Sequence, residues 1–220
     1  MLLHGYLACK ETFIEQIEYF SQFYRVTAID FLGFGKSEKL VEPFSVEDYA
    51  VWTKEVFALL GVEKPKVIAH SFGCRVAVKM AKTDGQVFDE IVLTGPAGVI
   101  LKRGFAYKCK VKAYRLVRKI APKFAERRFG SAEYRTLSPI MKESYKKIVN
   151  EDLRGDAREV KNRVLIVEGR EDRTTTLAEA KEYLRCFPNA ELKMIDGGHF
   201  AFLENPLAFN LLVEEFFSYD

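Results

Sequence analysis

Apolar positions along this chain follow two alternating rhythms. Short, largely continuous apolar runs at residues 26–29, 66–69, 88–93, 164–167 and 192–195 have the length and composition of strands buried on both faces. Between them, residues 12–23, 45–60, the stretch after Ser71, 177–186 and 206–217 repeat their apolar positions at helical spacing. Ser45 with Asp48 three residues on predicts a capping box at the start of the second helix, and Gly61 predicts its end. Strands alternating with helices in this way predict a parallel sheet covered on both faces, with ligands bound beyond the carboxyl ends of the strands.

Composition narrows the class. With 220 residues, 48% of them hydrophobic, the chain can bury one sizeable core, and it holds no repeat or low-complexity tract. No apolar run approaches the roughly 20 residues that span a bilayer, and the first nine residues lack the basic and apolar regions of a secretory signal. Cys9, Cys74, Cys109 and Cys186 are scattered without C-x-x-C spacing, which suits reduced thiols and a cytoplasmic location. Cys74, three positions after Ser71, is expected on the packed side of a helix. No metal and no organic cofactor is expected: the three histidines are dispersed, and Gly33-Phe34-Gly35 lacks the third glycine of a dinucleotide fingerprint.

The chemistry gathers around Ala69-His70-Ser71-Phe72-Gly73, a small-x-Ser-x-Gly turn between a strand and a helix. Such a turn leaves the serine strained and exposed at its apex and aims the next amide, with the helix N-terminus, at an oxyanion formed there. Here alanine replaces the first glycine of G-x-S-x-G. A serine nucleophile needs an imidazole base, and the base needs a carboxylate to fix its tautomer. His199, in Asp196-Gly197-Gly198-His199-Phe200 after the strand at 192–195, is the candidate base. His70 lies beside the serine with its side chain directed away from the attack path, and His4 belongs to the first loop. Asp172, in the loop after the strand at 164–167, is the candidate acid, with Glu171 as the alternative. Glu168, Glu171 and Asp172 together read as a solvated loop with one member buried.

The order Ser71, Asp172, His199, together with His4-Gly5-Tyr6, Asp30-Phe31-Leu32-Gly33-Phe34-Gly35-Lys36-Ser37 and Gly198-His199-Phe200, resembles the α/β-hydrolase superfamily over nearly the whole chain. The likeness is greatest to cap-bearing members with an HG oxyanion loop and a D-x-x-G-x-G-x-S turn, among them carboxylesterases and carbon–carbon bond hydrolases. It implies an α/β-hydrolase fold: a mostly parallel central sheet flanked by helices, with a helical cap inserted after the sixth family strand. It further implies a core of residues 1–97 and 162–220, a cap of residues 98–161, and an oxyanion hole formed by the backbone N–H groups of Phe72 and Tyr6, with Leu7 as the alternative to Tyr6. Family members carry two more strands before the one leading into His-Gly, so the natural protein is expected either to start upstream of Met1 or to have lost a sheet edge. In both cases the strand at 26–29 is expected to be an exposed edge open to pairing with a second copy.

Charge is uneven. Residues 101–128 hold eleven Lys or Arg and one acid, Glu126, for +10, whereas the whole chain is only +3 and the remainder therefore −7. A basic cap on an acidic body favours an anionic or amphipathic small-molecule substrate and admits peripheral contact with anionic lipid. No nucleic-acid-binding module is visible. The reading is a serine hydrolase acting on a carboxylic ester or related acyl compound, with carbon–carbon bond hydrolysis open to the same apparatus. The alternative is a non-catalytic binding or interaction protein of the same fold, or a truncated inactive hydrolase.

Overall fold

The computed structural model describes residues 1–101, 134 and 136–218; most of the basic stretch 101–128 lies outside them. Six parallel strands form one sheet in the order β2-β1-β3-β4-β5-β6, with β1 Leu2–Leu3, β2 Ala28–Ile29, β3 Val67–His70, β4 Glu90–Thr94, β5 Arg163–Gly169 and β6 Ala190–Ile195. A 3-10 turn at Lys10–Phe13 and α1 (Ile14–Phe20) connect β1 to β2, and α2 (Val46–Leu59) and α3 (Phe72–Thr83) enclose β3. Further along are α4 (Pro139–Val149) and α5 (Arg154–Ala157), then α6 (Leu177–Cys186), α7 (Ala201–Glu204) and α8 (Pro206–Ser218).

Alternation along the strands divides the core into two layers. Leu3, Val67, Ala69, Ile91, Leu93, Val164 and Ile166 face the layer that includes α2, α3 and α6, whereas Leu2, Ile68, Val92, Leu165 and Val167 face α1 and α8. Both faces of the central strands are apolar because both are covered. Strand β2 is an edge strand, as expected, although it is shorter than the predicted 26–29. Residue Thr27 still accepts a hydrogen bond from Leu2 N (2.9 Å).

The first helix also differs from the expected 12–23. It opens as a 3-10 turn whose first amide, Lys10 N, is held by Asp30 (2.7 Å), and it stops at Phe20, where Phe23 and Tyr24 fold back onto the Phe20 carbonyl. The capping box of α2 forms as predicted: Asp48 N donates to Ser45 Oγ (3.2 Å) and Ser45 N to Asp48 (2.7 Å). Among the described residues no helix is long and apolar enough to cross a membrane.

Two features of this topology position the site. The chain leaves β1 towards β2, then returns past β1 to β3, so the winding reverses between β1 and β3. The loops leaving these two strands therefore flank the crevice where parallel sheets bind ligands. Helix α3 also lies very close to β1: a Cβ on Gly73 would sit 2.2 Å from the Leu3 carbonyl oxygen. By contrast, a Cβ on Gly85 would meet nothing within 4 Å. Gly73→Ala is therefore expected to cost about 1–3 kcal/mol of stability through forced backbone displacement. Gly85→Ala should stay within about 1 kcal/mol of the wild type. Urea denaturation of the two variants checks the pair; equal midpoints would refute the close approach of α3 to β1.

Candidate active site

Ser71 occupies the sharp turn between β3 and α3 with φ 49° and ψ −104°, a conformation uncommon for a residue with a side chain. The turn is held on both sides: Ser71 N donates to Thr94 O (3.1 Å), while its carbonyl accepts from Cys74 N (3.2 Å) and Ala97 N (3.4 Å). Phe72 is the first residue of α3, so its N–H points out of the helix N-terminus without an intrahelical partner. Cys74 is fully buried and its thiol bonds to the Ala69 carbonyl (3.1 Å), which places it in the core as expected.

The opposite side of the crevice is the His4-Gly5-Tyr6 loop. His4 Nε2 accepts from Phe31 N (3.0 Å), so the ring proton is on Nδ1, which donates to Gly5 O (2.7 Å). Burial draws the His4 pKa below its ordinary value, and both ring nitrogens are spent on holding the loop. A Cβ on Gly5 would sit 2.7 Å from His70 Nδ1 and 3.5 Å from Ser71 Cβ, so the loop passes directly beside the serine. Tyr6 sends its phenol to Met141 O in α4 (3.1 Å), and its ring packs against Phe34, Phe72 and Tyr145. Leu7, the alternative oxyanion donor, has φ 59° and is half exposed.

His199 and Asp172 are brought together from loops 27 positions apart: His199 Nδ1 lies 2.7 Å from Asp172 Oδ2. The Asp172 side chain is fully buried, whereas its neighbour Glu171 is exposed, which separates the two candidate acids. Asp172 Oδ1 accepts from Thr174 N (2.7 Å) and Thr175 N (3.0 Å), and Oδ2 accepts from Thr175 Oγ1 (2.9 Å). Burial works to raise its pKa, but hydrogen bonds from His199 and these threonines outweigh burial and hold the carboxyl below its ordinary value. The His199 ring reaches over the end of β4, since a Cβ on Gly95 would sit 3.1 Å from its Nδ1. Ser71 is fastened to the preceding residue, Thr94, so β4 carries both groups at its carboxyl end.

Several contacts escaped the sequence reading. His70 is buried, and its Nε2 donates to the His199 carbonyl (3.0 Å), so it positions the loop of the candidate base. Glu204 accepts from Gly198 N (2.7 Å) and braces the same loop from α7. Thr175 was signalled only by lying three residues after Asp172, the spacing at which a side-chain carboxylate caps a turn. The reading of Glu168 as part of a solvated loop is corrected: it is the penultimate residue of β5 and fully buried. Among the described residues no three His, Cys, Asp or Glu side chains converge as a metal-binding group.

A family model described as the alpha/beta hydrolase fold matches residues 1–107. The 2-hydroxymuconate semialdehyde hydrolase of Pseudomonas putida is 27% identical over 221 residues, covering 89% of this chain and 78% of that protein. Among solved structures, a hydrolase from Oleispira antarctica superposes with a TM-score of 0.80 at 17% identity, over 100% of this chain and 90% of that one. A meta-cleavage product hydrolase from Pseudomonas fluorescens IP01 gives 0.74 at 21% identity, over 98% and 89%. The likeness to the two solved structures is one of fold.

The buried ring of His70 has a consequence for stability. Burial first, and the nearby His199 ring second, pull its pKa from 6.5 to about 3, so the folded protein holds it neutral while the unfolded chain takes up a proton below pH 6.5. Stability from this group is therefore full above 6.5 and is lost as pH falls towards 3. Between about pH 7 and pH 5 the loss amounts to roughly 2 kcal/mol. His70→Gln is expected to be less stable at neutral pH yet to show a shallower fall on acidification, measured by urea denaturation at both pH values; an unchanged slope would contradict a neutral buried His70.

Proposed function

Because this chain belongs to the α/β-hydrolase superfamily, we propose that it is a serine hydrolase acting on a carboxylic ester or related acyl compound through Ser71, His199 and Asp172. The observation that carries this reading is the 2.7 Å contact between His199 Nδ1 and Asp172, made beside a serine held in a strained strand-to-helix turn. With the Nδ1 proton donated to Asp172, the Nε2 lone pair is left to accept the Ser71 hydroxyl proton as Oγ attacks the acyl carbon. The oxyanion then forms at the α3 N-terminus, where the N–H groups of Phe72 and Tyr6 are the proposed donors. Protonated His199 returns its proton to the leaving group, and water activated by the same imidazole releases the acyl group from Ser71.

The wall beside this crevice is aromatic, with the rings of Phe34 and Tyr145 both packed against Tyr6, which favours an acyl or aryl portion with an apolar face. We place the cap at residues 98–161 and assign to its basic stretch a preference for anionic substrates. A second reading, hydrolysis of a carbon–carbon bond, is favoured by the likeness to proteins named as 2-hydroxymuconate semialdehyde hydrolase and meta-cleavage product hydrolase.

Hydrolysis of p-nitrophenyl esters from acetate to dodecanoate tests the proposal. The wild type should show a burst, a chain-length optimum and labelling by a fluorophosphonate, with turnover reduced by about 10³-fold or more in Ser71→Ala and labelling abolished. A folded wild type that neither reacts with the fluorophosphonate nor exceeds Ser71→Ala on any ester would sink the ester reading and direct the assay to 2-hydroxymuconate semialdehyde.

A further inference from the structure

The apolar layer under α3 and α6 holds one carboxyl group that the proposed reaction leaves unused. Alternation along β5 puts Glu168 on the same face as Val164 and Ile166, and it pairs in register with Met194 of β6. It is 0% exposed, and neither carboxylate oxygen receives a hydrogen bond from any N–H or hydroxyl of the described residues. Among the described residues, the titratable groups that interact with it electrostatically are Asp172 from the following loop, Glu179 from α6 and Cys74 from α3, none of them a cation. An ionised carboxylate in such a place would be unpaired, desolvated and next to a like charge, a combination that costs several kcal/mol.

Two neighbouring acids in this position resolve the conflict by keeping one proton between them. Asp172 is the member fitted for the charge, because two backbone amides, the Thr175 hydroxyl and the His199 ring already serve its oxygens. The proton therefore belongs to Glu168. We propose that Glu168 is a positioning residue for the reaction: a neutral carboxylic acid whose hydroxyl donates to the Asp172 carboxylate from behind and fixes the group that orients His199. This rests on the assignment of Ser71, His199 and Asp172 given above. Burial, then the charge of Asp172 and a hydrogen bond with it, push the Glu168 carboxyl up to about 9, in agreement with a proton held throughout the neutral range. Above that pH the proton passes to solvent, and a second negative charge appears behind Asp172.

The test uses the full chain, Glu168→Gln and Glu168→Met. Carbon-13 NMR of protein labelled at the glutamate carboxyl carbons, titrated from neutral to alkaline pH, should show one carboxyl titrating near 9 that is absent from Glu168→Gln. In the ester assay Glu168→Gln, whose amide N–H still donates to Asp172, should keep kcat within about threefold of wild type, whereas Glu168→Met should lose about tenfold in kcat with little change in KM. The alkaline inflection of the wild-type rate should vanish in both variants. A Glu168 carboxyl that titrates in the ordinary carboxylate range overturns the proposal, as does a Gln variant impaired as much as the Met variant. If Glu168→Met does not fold, the NMR titration and the Gln variant still decide. A chain whose Glu168 titrates near 9 but which hydrolyses nothing loses the hydrolase assignment and the positioning role together, whereas low titration in an active enzyme removes only the latter.

Discussion

The Leu3 carbonyl lies where a side chain at Gly73 would have to go, and this backbone-to-backbone contact between β1 and α3 sets the geometry of the whole crevice. It brings the His4-Gly5-Tyr6 loop alongside Ser71 and presses the helix N-terminus towards the reversal point of the sheet. It also explains why Ser71 tolerates a positive φ. Bonds to Thr94, Cys74 and Ala97 fix the residues on either side, so the strain is supported by the sheet and the helix rather than relaxed in the turn.

Around this contact the protein spends buried polar groups in a consistent way. All three histidines use ring nitrogens on nearby loops or on Asp172: His4 ties Gly5 to Phe31, His70 holds the His199 carbonyl, and His199 meets Asp172. Two of these rings are kept neutral by burial, and the buried carboxylate of Asp172 is compensated by donors to both of its oxygens. A buried ion is tolerated when hydrogen-bond donors surround it, and Asp172 meets that condition.

Much of this was legible from sequence because it is local. The Ser45 capping box, the apolar strands through 67–70 and 163–169, and the small residues around Ser71 each act within a few positions of themselves. Of the two acids expected in the loop after β5, Asp172 meets His199 and Glu171 is exposed. What escaped notice depends on three-dimensional neighbours. Glu168 looked like part of an acidic loop because three acids lie within five positions, yet β5 runs on to Gly169 and carries it into the core. The early end of α1 at Phe20 reflects the turn into an edge strand, which no propensity at residues 21–23 announces. The basic residues of 102–133 fall outside the described residues, and their sequence signal stands as charge alone.

Helix α4 is fastened at three places to the core: Tyr6 donates to Met141 O, Phe44 N donates to Ser144 Oγ (2.8 Å), and Lys147 Nζ donates to Pro43 O (2.7 Å). Met141 Sδ also packs close to Gly33, so the loop of residues 31–44 and the loop after β1 are both bound to one helix. The helix is consequently a wall rather than a door. In the proposed reaction, a substrate on that side of the crevice would meet this aromatic surface, and selection there would operate by shape before any bond is broken.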